Sequence, residues 1–222
     1  MHVLGICGSP VVGGNTEAFL NEALKAALEI PGVTAELVSL AKKDIKDCIH
    51  CNFCLRKQEE GRFCSQKDDM VGLYPKVMAA DALFLAAPAY MGRLSGRMAC
   101  FIDRLRVFVF GNVYGRKLHN KVGAAFAVAW LRNGGAETTA QSLFYFFLGF
   151  EMIAVGPPHG FGSLFGAVGL SSEHGEGRFR SAEKKAVLQD TYGVEGARRL
   201  AKRAVQIAAL MKSGQIAAGN NP

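Results

Sequence analysis

The chain has 222 residues, half of them apolar and a fifth charged, with 26 Gly, 7 Pro and 6 Cys. So high an apolar fraction buries enough surface to offset chain entropy, which excludes a disordered chain, and no apolar run reaches the roughly 18 to 20 residues that span a bilayer. A formal charge of +7 invites a nucleic-acid reading, but much of the excess sits in residues 93–121 and in a C-terminal stretch where Arg198, Arg199, Lys202 and Arg203 recur at helical spacing, the pattern of a solvated helix face. Nucleic acid and membrane are therefore not expected partners, and the stretch Met1 to Cys7, with neither a basic leader nor a long apolar core, points to the cytoplasm.

In chain order, Val3 to Cys7 is a short apolar run that ends at Gly8 and predicts a buried strand. Thr16 to Leu28 places Phe19, Leu20, Ala23, Ala26 and Ala27 on one stripe, a helix with Asn15 as its N-cap. Ala35 to Leu40 alternates as an edge strand does, and a cysteine-rich loop spans 47–68. A helix follows at Asp69 to Ala80, a strand at Leu83 to Ala87 and a helix at Ser95 to Phe108. Val122 to Ala129 and Met152 to Val155 read as strands on either side of a helix at Ala136 to Phe147. Residues 156–188 are Gly-rich and read as an insertion or arm, Thr191 to Met211 as a closing helix, and 213–222 as a frayed tail.

Strand and helix thus alternate, which predicts one α/β domain over residues 1–212, a parallel sheet covered by helices on both faces. Ligands in such sheets sit beyond the carboxyl ends of the strands. The unusual segments fall there: Gly8 to Thr16, Pro88 to Gly96, and Trp130 to Gly135.

The first of these joins a strand to a helix, so its backbone N–H groups converge as they do in anion sites. Ser9, Pro10, Gly13, Gly14, Asn15 and Thr16 are the candidate residues, with Ser9, Asn15 and Thr16 adding side-chain donors. No Lys follows Gly13-Gly14, so it is not the loop of a nucleotide triphosphatase, and the G-x-G-x-x-G dinucleotide fingerprint is absent.

Together these motifs carry a resemblance. The series GSP-xx-GGNT, the CxxC of the next loop, DDM before a helix, APAY-MG-RLSG and RNGGAETT resembles, over about residues 1–156, the flavodoxin-like NADPH-dependent FMN reductases, in the branch of the iron-sulfur flavoproteins. The resemblance implies a three-layer α/β/α sandwich around a five-stranded parallel sheet, FMN as cofactor and NAD(P)H as electron donor. It also implies that Pro88, Ala89, Tyr90, Met91 and Gly92, and Trp130, Leu131, Arg132, Asn133, Gly134 and Gly135, contact the flavin. Chemistry agrees: the isoalloxazine needs backbone groups along its edge and a positive dipole near N1 and O2, where charge collects on reduction. No catalytic side chain is then required, because the cofactor carries the hydride. Val11 and Val12 stand where relatives often have a basic residue.

Cys48, Cys51, Cys54 and Cys64 form C-x2-C-x2-C-x9-C. Thiolates at three-residue steps suit an iron cubane, zinc is crowded by that run, and packed or reactive thiols without metal are the third alternative. Iron-sulfur flavoproteins carry a compact motif of this kind in the same loop, which implies a [4Fe-4S] cluster; the final gap here is longer than is usual among them.

The expected function is electron transfer from NAD(P)H or a reduced carrier to a quinone, a flavin or a protein acceptor. The rival is a non-enzymatic flavin and iron-sulfur carrier, which the basic composition disfavours. The apolar stretch Leu143 to Phe150 exceeds what one small domain usually buries, so a homodimer or homotetramer is expected.

Overall fold

A computed structural model describes residues 1–178 and 185–217. Its strands are β1 (His2–Cys7), β2 (Thr34–Ser39), β3 (Ala82–Tyr90), β4 (Arg93–Leu94), β5 (Val122–Ala129), β6 (Ile153–Val155) and β7 (Ala167–Leu170). The α-helices are α1 (Asn15–Leu28), the single turn α2 (Phe53–Arg56), α3 (Leu73–Ala79), α4 (Gly96–Arg104), α5 (Ala136–Gly149) and α6 (Thr191–Ala217). Among the described residues no helix is long and apolar enough to cross a membrane.

The parallel strands run β2-β1-β3-β5-β6. This is the flavodoxin order, in which the chain steps outward from β1 to β2 and then returns past β1 to β3. The crevice at that reversal is where such sheets bind ligands.

The expected five-stranded parallel sheet is present and carries additional short strands. β6 pairs with Val122–Ala124 of β5, and β7 pairs with Phe126–Ala129, also in parallel. With the other edge of β5 taken by β3, the two short strands share one edge end to end. The fifth strand is therefore split in two, and the Gly-rich segment supplies its second half. β4 is also new: it pairs antiparallel with the end of β3 through the two-residue turn Met91-Gly92. Both turn residues have positive φ, 51° and 77°, the conformation that matches the twist of a two-residue hairpin.

Two cores lie against opposite faces of the sheet. One packs Phe19 and Leu20 of α1 with Leu200 and Val205 of α6 onto Val3, Phe84 and Phe126. The other packs Tyr74 of α3, Phe101 of α4 and Phe147 of α5 onto Leu4, Ile6 and Leu85. Each fully buried Phe or Leu contributes about 1.5–3 kcal/mol by leaving water.

Several expected elements end differently. Asn15 is the first residue of α1 and not its cap; Gly14 caps the helix, and the Asn15 amide oxygen instead accepts from the Val187 N–H at 2.9 Å. Asp69–Gly72 is a 3-10 turn because the Asp68 carboxylate accepts from the Met70 N–H. The helix expected over Ser95 to Phe108 is capped by Ser95 and tightens to a 3-10 turn at Leu105–Phe108. Residues 213–217, expected in the tail, continue α6, whereas 218–222 and 179–184 of the expected arm lie outside the described residues. The basic face of α6 is ion-paired in part, with Arg198 bonded to Glu22 and Glu29 and Lys202 to Glu29.

Candidate functional site

Beyond the carboxyl ends of β1, β3 and β5 lies a cavity of 420 Å³, within the roughly 300–1,000 Å³ typical of cofactor and ligand sites. The first turn supplies Ser9, Gly13, Gly14, Asn15 and Thr16; the second supplies Pro88, Ala89 and Tyr90; the third supplies Trp130. Three separate strand ends thus meet on one space, as the sheet reversal requires.

The first turn is held rigid from below. Gly8 donates to the Ala86 carbonyl at 2.8 Å, and its own carbonyl accepts from the Ser95 hydroxyl at 2.7 Å. The buried Ser9 hydroxyl accepts from the Val11 N–H at 3.1 Å. Gly13, at φ 64°, donates its N–H to the Glu17 carboxylate at 3.2 Å. The next N–H groups belong to the first turn of α1, which has no intrahelical acceptors for them. Among the described residues no Lys, Arg or His lines the cavity, so the donors they offer an anion are neutral groups and the helix dipole. Val11 and Val12, both on its wall, are more than half exposed.

Tyr90 and Trp130 present ring surface at the mouth. Burial pushes the Tyr90 phenol up, against a hydrogen bond with Ser9 that lowers it. The Cys7 thiol at the end of β1 is buried, and burial pushes it up to about 12.

Other expected residues stand elsewhere. Met91 is 99% exposed at the hairpin tip. Arg132 donates to the His174 carbonyl at 2.9 Å and lines a second cavity of 740 Å³ with Asp190 and Tyr192. Pro10, Gly92, Leu131, Asn133, Gly134 and Gly135 are also absent from the lining of the first cavity. Gly135 abuts Gly92, so these two residues join the second and third turns behind the site.

Four wall residues lie outside the candidate set: Val11 and Val12 within the first turn, and Val128 and Ser171. Ser171 follows β7 directly, and its N–H donates to the Ala129 carbonyl at 2.8 Å. It is legible only once β7 is known to lie beside β5.

The four loop cysteines line a different, nearly closed space of 20 Å³, together with Asn52, Arg104 and Arg106. That volume admits about one water. Among the described residues no three His, Cys, Asp or Glu side chains are set to hold a metal ion as they stand. A cubane therefore requires the thiols to spread, but the donor set fits one in kind. Four cysteines line one space, and among the described residues two buried guanidinium N–H groups (Arg104 Nε and Arg106 Nη1) have no partner. Unpaired buried cationic donors fit an anionic guest. The thiols differ: Cys51 is held low by the Ser65 hydroxyl and the Phe53 N–H, and Cys54 is pushed up by burial.

The sheet order and the crevice at its reversal define a flavodoxin-like α/β protein. Comparison with known proteins narrows this. The sequence profile of the NADPH-dependent FMN reductases matches residues 1–162, and the chain belongs to that family. It is 37% identical over 212 residues to iron-sulfur flavoprotein MJ1083 of Methanocaldococcus jannaschii, covering 96% of this chain and 100% of that one. It is 33% identical over 213 residues to an iron-sulfur flavoprotein of Archaeoglobus fulgidus, covering 96% and 98%. Among solved structures, RosB with bound 8-demethyl-8-formylriboflavin-5′-phosphate superposes with a TM-score of 0.73 at 17% identity, over 100% of this chain and 88% of that one, a likeness of fold.

Proposed function

We propose that the protein is an FMN-dependent oxidoreductase that takes electrons from NAD(P)H or a reduced carrier and delivers them to a quinone, flavin or protein acceptor through a [4Fe-4S] cluster. The observation that carries the flavin reading is the convergence of the turns after β1, β3 and β5 on one 420 Å³ cavity. Bound FMN supplies two-electron hydride chemistry and one-electron transfer. The residues 9–16 hold its phosphate with N–H and hydroxyl donors, and Tyr90 and Trp130 flank its ring. The cluster is assigned to Cys48, Cys51, Cys54 and Cys64, on the strength of the shared cavity and the relatives' names. No protein nucleophile or proton shuttle is needed.

Anaerobic mixing of the reconstituted protein with NADPH or NADH tests the reading. Loss of the flavin absorbance followed by its return on adding a benzoquinone is expected. A flavin band that neither nicotinamide nor chemically reduced carrier bleaches would overturn it.

A further inference from the structure

We infer that Arg106 is the unpaired cation of the cysteine-lined cavity and sets the reduction potential of the cluster held there. The inference rests on the cluster reading of the loop.

Two arginines share that cavity wall with the four cysteines, and they differ in how their charge is met. Arg104 is 1% exposed and is neutralised by Asp68, whose side chain is fully buried. It also donates from Nη1 to the Lys46 carbonyl at 3.0 Å and from Nη2 to the Cys64 sulfur at 3.6 Å. Among the described residues Arg106 has no such carboxylate. Its Nη2 donates to the Asn52 amide oxygen at 3.0 Å, its guanidinium lies 5.3 Å from the centre of the Phe110 ring, and its Nη1 is buried without a partner. Asp103 also lines the cavity, yet among the described residues it forms no ion pair with either arginine.

A guanidinium stays protonated at any working pH. The Arg106 Nη1 is buried beside a neutral amide and a ring, although the residue as a whole is only partly buried, and a buried cationic donor is favoured by an anion that faces it. The cavity offers four sulfurs. A cluster bound by four thiolates is anionic and gains one negative charge on reduction. A fixed cation at its edge therefore favours the reduced form, since charge and hydrogen bonds around the sulfurs set cluster potentials. Asn52 and Phe110 aim the guanidinium, and the left-handed Asn52 at φ 57° immediately precedes α2, which carries Cys54.

The test compares wild type, Arg106→Met and Arg106→Lys after anaerobic reconstitution with iron and sulfide. The readouts are iron content and the midpoint potential in a mediated dithionite titration, in which the cluster accepts one electron and no bond is made or broken. Arg106→Met is expected to keep its iron and to lower the reduction equilibrium constant about tenfold, or 59 mV for one electron. Arg106→Lys is expected to stay within about threefold of wild type, because long-range charge is retained. Iron retained in Arg106→Met with an unchanged or raised potential overturns the inference and leaves the cluster reading standing. Loss of the cluster in Arg106→Met that Arg106→Lys restores supports a need for the cation, whereas loss in both overturns it in favour of a packing role. A wild-type protein that takes up no iron overturns the inference and the cluster reading together.

Discussion

Gly135 and Gly92 lie in direct backbone contact: a Cβ placed on Gly135 would stand 2.4 Å from the Gly92 Cα. Gly135 also has φ 89°, a region costly for residues with side chains. This contact sets the turn after β5 against the hairpin after β3. Gly135→Ala is therefore expected to push the turns apart and weaken FMN binding at least tenfold, the sheet remaining folded. Quenching of flavin fluorescence on titration measures the change, and unchanged affinity would show that the contact does not shape the site.

Ser9 links two turns of the pocket. Its hydroxyl accepts from the Val11 N–H at 3.1 Å, and it counters the upward push of burial on the Tyr90 phenol. Hydrogen bonds of this kind contribute about 1 kcal/mol each, so Ser9→Ala is expected to weaken FMN about fivefold to tenfold. The same titration checks this, and Ser9→Thr should recover part of the loss.

Asp68 governs acid stability near the cysteine loop. Burial alone pushes its carboxyl up, but the Arg104 guanidinium and the Lys46 N–H outweigh it and hold the group below the usual carboxylate range. A carboxyl whose folded value lies below its unfolded value of about 3.9 binds fewer protons when folded. Its stabilisation is complete above that unfolded value and is lost as pH falls through the folded one. Asp68→Asn leaves Arg104 buried without its counter-charge, which costs about 3–5 kcal/mol. Urea unfolding of both proteins should show that difference at pH 7 and a smaller one at pH 3.

Much of this arrangement was legible in the sequence because strand-end turns and apolar periodicity are local signals. The runs at Val3, Leu83 and Val122 and the three Gly-rich turns needed no tertiary knowledge. β7 was not legible: Ala167-Val-Gly-Leu is too short to show a period and acquires its identity only from the free edge of β5. The capping role of Asn15 failed because its amide oxygen is claimed by Val187, 172 positions away. Arg104 sits at a helical spacing that also describes solvated residues, and its burial depends on Asp68 and Lys46 arriving from another loop.

The assembly expectation has a narrower basis than the sequence offered. Leu143, Phe146 and Phe147 are absorbed by the protomer's own core, but Tyr145 and Leu148 on α5 are 56% and 54% exposed. We propose that these two side chains pair across a dimer interface, which predicts a dimer or tetramer by light scattering, shifted toward monomer in Leu148→Arg. A wild-type monomer at all concentrations would contradict this.

FMN stoichiometry bears on the pocket most directly. Protein purified anaerobically, incubated with FMN and passed through a desalting column should retain about one flavin per chain, read from its visible absorbance, with riboflavin retained far less because the donors of residues 9–16 require the phosphate. A colourless protein after this treatment, or equal retention of riboflavin, would contradict the account.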